Sequence, residues 1–324
     1  MITIDDVNIP IDIVIRQVRK RDGVVVLTSR MGELLALTTA LLWATGVVLY
    51  KKSVGFIPPF ALSVFKSLIA FVLLAATTFA LGQTRNVSVT TRDLLIMLTS
   101  GAIGVGISDT LFFMTLSRLG ASRTALVDCL YSPFVIVFSV LFLGEKISPL
   151  AILGGLLILT SVVVSSQRAF GTTLPRKQLW TGCALGASAM ATVAFAIVLV
   201  KPILPGYPMA WVSAVRMAGG LIALALLLPV HPDRKFILAA FRPQPGWKWI
   251  FLGTFFGSYL SLMAWLAGFK YSQAGSAALL NQTSTVLVVL FAAAFLQERL
   301  TKAKLLAVGL AFSGAAIVLY SGRL

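Results

Sequence analysis

Four ionisable side chains stand inside long apolar stretches of this sequence: Lys66, Asp109, Asp128 and Arg216. A charge at the centre of a membrane-spanning helix costs at least ~2.5–3.5 kcal/mol on insertion scales, so each needs a partner, a proton or water. Their chemistry is that of binding. Arg216 offers a planar fork suited to a carboxylate or phosphate. Lys66 can neutralise one of the two carboxylates but not both, which favours a site that also holds a proton or a substrate cation. Asp128, Tyr131 and Ser132 follow at i, i+3 and i+4, hence on one helix face. Asn281, Ser284 and Thr285 repeat that pattern 153 positions later. Two polar faces inside apolar helices imply one shared internal binding site.

The elements that must position these residues are membrane helices. The 324 residues are 58% hydrophobic and only 12% charged, with mean hydropathy +0.94. A soluble globular protein is about a quarter charged. The net charge of +16 would point to nucleic acid if the cations formed a patch. They do not: all but Lys66 and Arg216 lie in the amino-terminal tail or in short connections, as in membrane proteins, and no nucleic-acid partner is expected. Cys129 and Cys183 both fall in apolar spans, so no disulfide framework is expected. His231, the single histidine, sits in a Pro-flanked loop, which argues against His-based hydrolysis and a His-rich metal site. No cofactor is expected.

Apolar runs of spanning length fall at about 33–51, 58–81, 93–116, 122–143, 148–166, 179–200, 207–229, 247–269, 275–296 and 301–320. The reading is an all-α integral membrane protein with ten transmembrane helices. Ser148-Pro149 offers an N-cap followed by proline, and Thr301 caps the last helix. Residues 31–167 and 178–321 form two repeats: Lys51, Pro58 and Lys66 match Lys201, Pro208 and Arg216 at a spacing of 150. Ser100, Gly104 and Ser108 match Gly253, Gly257 and Ser261 at a spacing of 153, and such small residues let helices approach closely in lipid. Five helices per half is an odd number, so the second repeat inserts inverted, the signature of a secondary transporter. Residues 1–30 match neither half and carry no signal-peptide pattern; they read as a small cytosolic extension or as sequence ahead of a native start at Met31.

Depth indicates which charges can meet. Lys66, Asp109 and Asp128 all lie roughly 9–13 Å below one membrane face at 1.5 Å per residue. Lys66 can pair with either acid, leaving the other protonated or solvated. Arg216 lies at comparable depth from the opposite face, near Asn281, with no acid in its own half. Trp43, Tyr131, Tyr259 and Trp265 are candidates to line a pocket, although aromatic residues in spans more often pack or sit at the interface. Pro133 is expected to kink the fourth helix in its middle, with Val286 at the matched place. Glu145 and Glu298 precede new helix N-termini and are expected to stabilise them, or to pair with Lys146 and Arg299. The substrate-binding candidates are Lys66, Asp109, Asp128, Tyr131, Arg216, Asn281, Ser284 and Trp43.

From about 32 to 321 the chain resembles the EamA-type branch of the drug/metabolite transporter superfamily. The resemblance rests on Leu42-Trp43-Ala44-Thr45-Gly46 running to Lys51, and on Pro59, Ala61 and Lys66. It rests most on Leu143-Gly144-Glu145-Lys146-Ile147-Ser148 leading into Leu153-Gly154-Gly155, repeated as Leu296-Gln297-Glu298-Arg299-Leu300-Thr301. It implies a multi-spanning carrier that exports amino acids, metabolites or drugs, in the plasma (inner) membrane. Asp128 stands where the family carries a small or apolar residue.

The expected function is a secondary carrier that exports a small polar or zwitterionic, amino-acid-like metabolite by alternating access, with proton coupling through a carboxylate. The alternative within the class is a sugar-phosphate or nucleotide-sugar exchanger, against which the sparse cations count. A polytopic membrane enzyme would need a nucleophile–base pair or metal cluster, and a signalling protein would not need a polar lining in both halves. Positive charge is richer in loops after odd-numbered spans, which puts the termini outside; the family resemblance puts them inside. Oligomeric state is not legible in the sequence.

Overall fold

The computed structural model describes residues 11–53, 56–83, 87–119, 124, 127–128, 130–166, 175–229, 231, 234–239, 246–296 and 302–321, and among these there is no strand. In chain order the helices are α1 (Ile11–Lys51), α2 (Pro59–Ala80), α3 (Thr91–Leu119), α4 (Tyr131–Leu143), α5 (Pro149–Ser166), α6 (Arg176–Val200), α7 (Met209–Leu227), α8 (Trp247–Tyr271), α9 in two pieces (Ala274–Asn281 and Thr283–Leu296), and α10 (Lys302–Ser321). A 3-10 turn, Lys201–Gly206, extends α6, and a short helix, Arg234–Ala239, lies between α7 and α8. Among the described residues six helices are long and apolar enough to cross a membrane: the Arg30–Lys51 part of α1, α2, α3, α6 with its 3-10 turn, α7 and α8. Shorter apolar helices add to these, among them α4. Phe79, Leu141 and Leu226 are exposed, as expected of side chains that face acyl chains rather than water.

Local chemistry sets many of the ends. Pro59 opens α2 and Pro149 opens α5, where the missing proline N–H would have had no intrahelical partner. Ser148 Oγ accepts from the backbone N–H of Ala151 at 3.1 Å, and Thr90 Oγ1 caps α3 through the N–H of Asp93 at 3.1 Å. Gly144 ends α4 in the left-handed region with φ 64°, a conformation that costs other residues a Cβ clash. Thr301 and Glu298 lie outside the described residues, as does most of the connection between the matched halves.

The helices cross where the sequence is small. α1 packs on α8 and α9, and α6 packs on α3 and α4. α2 meets α7 and α8, α7 meets α3, and α5 pairs with α10. A Cβ built on Gly46 would stand 2.5 Å from Gly257 Cα, and one on Gly104 would stand 2.8 Å from Ala196 Cβ. The two crossings use matched residues, since Ala196 is 150 positions after Gly46 and Gly257 is 153 after Gly104. Ser100 and Ser108 reinforce the α3–α6 crossing by donating to the carbonyls of Ala196 (2.6 Å) and Ala189 (2.8 Å).

The helices depart from ideal geometry in two ways, of which the first was not expected from the sequence. α3 carries a π-helical turn at Ala102–Ile107, and α8 carries one at Phe255–Leu260, again 153 positions apart. Such turns appear mostly as local bulges at functional places. The second is an interruption of the expected fourth span in the turn just ahead of Pro133, where a proline removes a hydrogen bond and crowds the backbone. α4 starts at Tyr131, so Pro133 sits in its first turn rather than mid-helix, and the chain bends at Leu130 ahead of it. α9 is interrupted at the matched level, at Gln282, with Val286 in place of the proline. A proline is therefore not required for such a break. Instead the two interruptions brace each other: Gln282 Nε2 donates to the Asp128 carbonyl at 2.9 Å, and Ser132 Oγ donates to the Ala278 carbonyl at 2.9 Å. Carbonyls freed in lipid must find such partners.

Candidate functional site

Between these helices lies a cavity of about 170 Å³. All eight residues singled out in the sequence line it: Trp43 from α1, Lys66 from α2, Asp109 from α3, Asp128 just ahead of α4, Tyr131 at its start, Arg216 from α7, and Asn281 and Ser284 from α9. Both π turns reach its wall, through Gly104 and Val105 on one side and Gly257 and Ser258 on the other. Apolar side chains complete it, notably Phe112, Met190, Val193, Met217 and Leu262. These carried no signal in the sequence, because one Met or Val in an apolar helix looks like any other.

The four charges divide unequally. Lys66 and Asp109 form an ion pair, with Lys66 buried and Asp109 partly exposed to the cavity. Their charges cancel, as a carboxylate and an ammonium must where water is scarce. Asp128 makes no ion pair among the described residues; its backbone carbonyl is held by Gln282 while its side chain borders the cavity. Arg216 is 1% exposed, and its Nε and Nη1 have no hydrogen-bond partner among the described residues. Asn281, at 7% exposure, likewise leaves both Oδ1 and Nδ2 unpartnered. Buried polar groups are nearly always satisfied, so a cluster of orphans at a cavity wall marks where a ligand or water belongs.

Arg216 is held in place without being neutralised. Its backbone is pressed against α3, since a Cβ on Gly101 would fall 1.9 Å from the Arg216 carbonyl oxygen. A Cβ on Gly104 would stand 3.3 Å from Nη2, so the glycine leaves the guanidinium its space. The Arg216 Cζ lies 5.4 Å from the centre of the Trp265 ring, a cation–π distance. Trp265 is oriented by its Nε1–H, which donates to the Tyr131 hydroxyl at 3.2 Å. Trp43 packs on Phe112 with ring centroids 5.8 Å apart. Three of the four aromatic candidates thus serve the cavity. Tyr259 does not line it: its hydroxyl shares a 2.6 Å hydrogen bond with Thr77 and its ring packs on Phe255.

Glu145 stabilises a helix N-terminus, but neither the next one in sequence nor through Lys146. Its carboxylate accepts from the N–H groups of Ala274 (2.9 Å) and Gly275 (3.4 Å), the start of α9. Its cation is Lys201, at 3.5 Å. Lys201 also donates to the carbonyls of Phe269 (2.8 Å) and Ser272 (2.6 Å), so one ion pair clamps the end of α8 and the start of α9. Sequence neighbours suggested a local cap, whereas packing brings a helix end 129 residues away.

The sequence matches the model of the EamA-like transporter family twice, over residues 30–167 and 180–320. An uncharacterized transporter from Archaeoglobus fulgidus is 25% identical over 269 residues, which is 83% of this chain and 90% of that protein. A crystal structure described only as that of a protein superposes with a TM-score of 0.73 at 20% identity, covering 90% of this chain and 97% of the other. At that identity the likeness concerns the fold alone.

Proposed function

The chain belongs to the EamA-like transporter family and is a multi-pass membrane transporter, and we propose that it is a secondary carrier that exports a small amino-acid-like zwitterion across the plasma (inner) membrane by alternating access. One observation carries the reading: in a single cavity Lys66 and Asp109 cancel each other, while Arg216, Asn281 and Asp128 keep unused binding capacity. Arg216 takes the substrate carboxylate in its fork. Asn281 accepts from, and Asp128 attracts, the ammonium end. The apolar wall takes the side chain. A polyanion fits poorly, because one of the two cavity cations is already consumed by Asp109.

The architecture proposed for this cycle is ten spanning helices in two inverted repeats, with an amino-terminal segment of residues 1–30 ahead of repeats at 31–167 and 178–321. Its support is the exchange of partners between halves. α1 on α8 and α9 corresponds to α6 on α3 and α4, and the π turns and helix interruptions recur at matched positions. In such a repeat the two halves can trade conformations about a fixed central site.

Coupling to protons is assigned to Asp128, the carboxylate that Lys66 leaves free. Asp128→Asn is expected to fold and to exchange substrate across the membrane, because the matched position carries Asn281. It should lose accumulation driven by a proton gradient. The assay is uptake of a radiolabelled amino-acid panel into everted vesicles, with the gradient imposed or collapsed. An Asp128→Asn protein that still concentrates label with unchanged pH dependence overturns the assignment.

A further inference from the structure

Asp128 borders two spaces. Besides the main cavity it lines a second chamber of about 20 Å³, and Trp43 and Phe112 line both. The chamber belongs to the side away from Arg216. It adds Val47 on α1, Leu116 on α3 and Val288 on α9, each three or four residues beyond the cavity residues Trp43, Phe112 and Thr285. The segment ahead of α4 supplies Thr124, four residues before Asp128. All four displacements point the same way, toward the membrane face at which α1 and α3 end. The volume suits a single water, which needs about 10–15 Å³ and two to four polar partners. Asp128, Thr124, Ser284 and Thr285 are such partners.

We propose that this chamber holds a relay water through which Asp128 exchanges its proton with the face where α1 ends, by a route separate from the substrate's. The proposal rests on the assignment of Asp128 as the coupling carboxylate. A proton passes from solvent to the chamber water and on to an Asp128 carboxylate oxygen; it leaves to the opposite face through the main cavity when the alternating-access cycle opens the cavity there, so that one proton crosses per cycle. Substrate bound in the main cavity lies on the other side of Asp128, so it does not block the relay. The packed Trp43 and Phe112 rings are part of both walls. Charged and titratable groups facing Asp128 come from the main cavity: Tyr131, Arg216 and the mutually neutralised Lys66–Asp109 pair. Among the described residues the chamber wall adds none.

The test needs no substrate. In lipid nanodiscs, time-resolved infrared spectroscopy after a pH jump follows the carboxylic C=O band that disappears in Asp128→Asn. Val288→Phe, which fills the chamber, should slow the rise of that band at least tenfold. Thr285→Val, which keeps the volume and removes a hydroxyl, should slow it severalfold even if the larger substitution impairs folding. Val193→Phe takes space only from the main cavity and should leave the rate within twofold. Wild-type rates in both chamber variants, or slowing by Val193→Phe alone, would overturn the route. Absence of any Asp128-dependent band would instead overturn the coupling assignment, and the route with it.

Discussion

Lys66 and Arg216 occupy matched places, 150 residues apart, on the second helix of each half. Both are buried and both line the same cavity, yet one is neutralised and the other is not. The difference lies on the neighbouring helix. Asp109 faces Lys66 from α3, and the residue 153 positions later on α8 is Leu262. A duplicated scaffold has kept the cation twice and the acid once. In the first half Lys66 and Asp109 neutralise each other, and the proposed function leaves Arg216 of the second half, with Asp128, for a ligand.

If that division is right, the most damaging change falls on the structural pair. Asp109→Asn strands a buried ammonium, and breaking a buried pair costs about 3–5 kcal/mol; thermal unfolding in detergent should report a loss of that order. Replacing both partners, Lys66→Met with Asp109→Leu, should recover most of it. A double variant as unstable as the single one would mean the pair does more than neutralise.

Next in size is the free cation. Arg216→Ala should fold, because among the described residues its guanidinium makes no ion pair and gives up only the cation–π contact with Trp265, but should lower transport efficiency about 100-fold. That corresponds to losing a charge-assisted, two-pronged contact of about 3 kcal/mol. Arg216→Lys keeps the charge without the fork and should raise KM about tenfold with little change in kcat. Normal uptake by the alanine variant at normal expression would remove Arg216 from the site.

A smaller effect sharpens the comparison directly. Leu262→Asp supplies the acid that the second half lacks, at the position matched to Asp109. It should pair with Arg216 and lower transport about tenfold by occupying the fork. Unchanged transport would show that the missing acid is not what keeps Arg216 available.

The smallest expected effect concerns the clamp at the α8–α9 junction. Glu145→Gln can still accept from Ala274 N–H but no longer carries charge for Lys201. A helix-end charge effect of this kind is worth about 0.3–1 kcal/mol, so unfolding should shift by no more than that. A larger loss would make the clamp a principal support of the junction.

Much of this was legible in the residue order, for a plain physical reason. A membrane excludes charge and unpaired backbone, so Lys66, Asp109, Asp128 and Arg216 stand out from an apolar background without any coordinates. Helical spacing likewise places Asp128, Tyr131 and Ser132 on one face, and the matched Asn281, Ser284 and Thr285 on another. All of them but Ser132, which instead bonds the Ala278 carbonyl, meet the same cavity, together with Trp43. What spacing could not decide was partnership. Lys66 had two acids in reach by depth, and only the crossing of α2 with α3 selects Asp109. Glu145 had Lys146 beside it, and only the arrival of α9 and Lys201 gives its carboxylate the partners it has. The π turns and the bracing of Gln282 with Asp128 and of Ser132 with Ala278 left no mark in composition, because backbone geometry at a helix interruption depends on which carbonyls a neighbouring helix can satisfy. The sequence by itself determined a polytopic helical membrane protein and the charges it must shelter. The tertiary structure decided which charges cancel and which stay free, because cancellation requires contact within a few ångströms and only packed helices set distances that short.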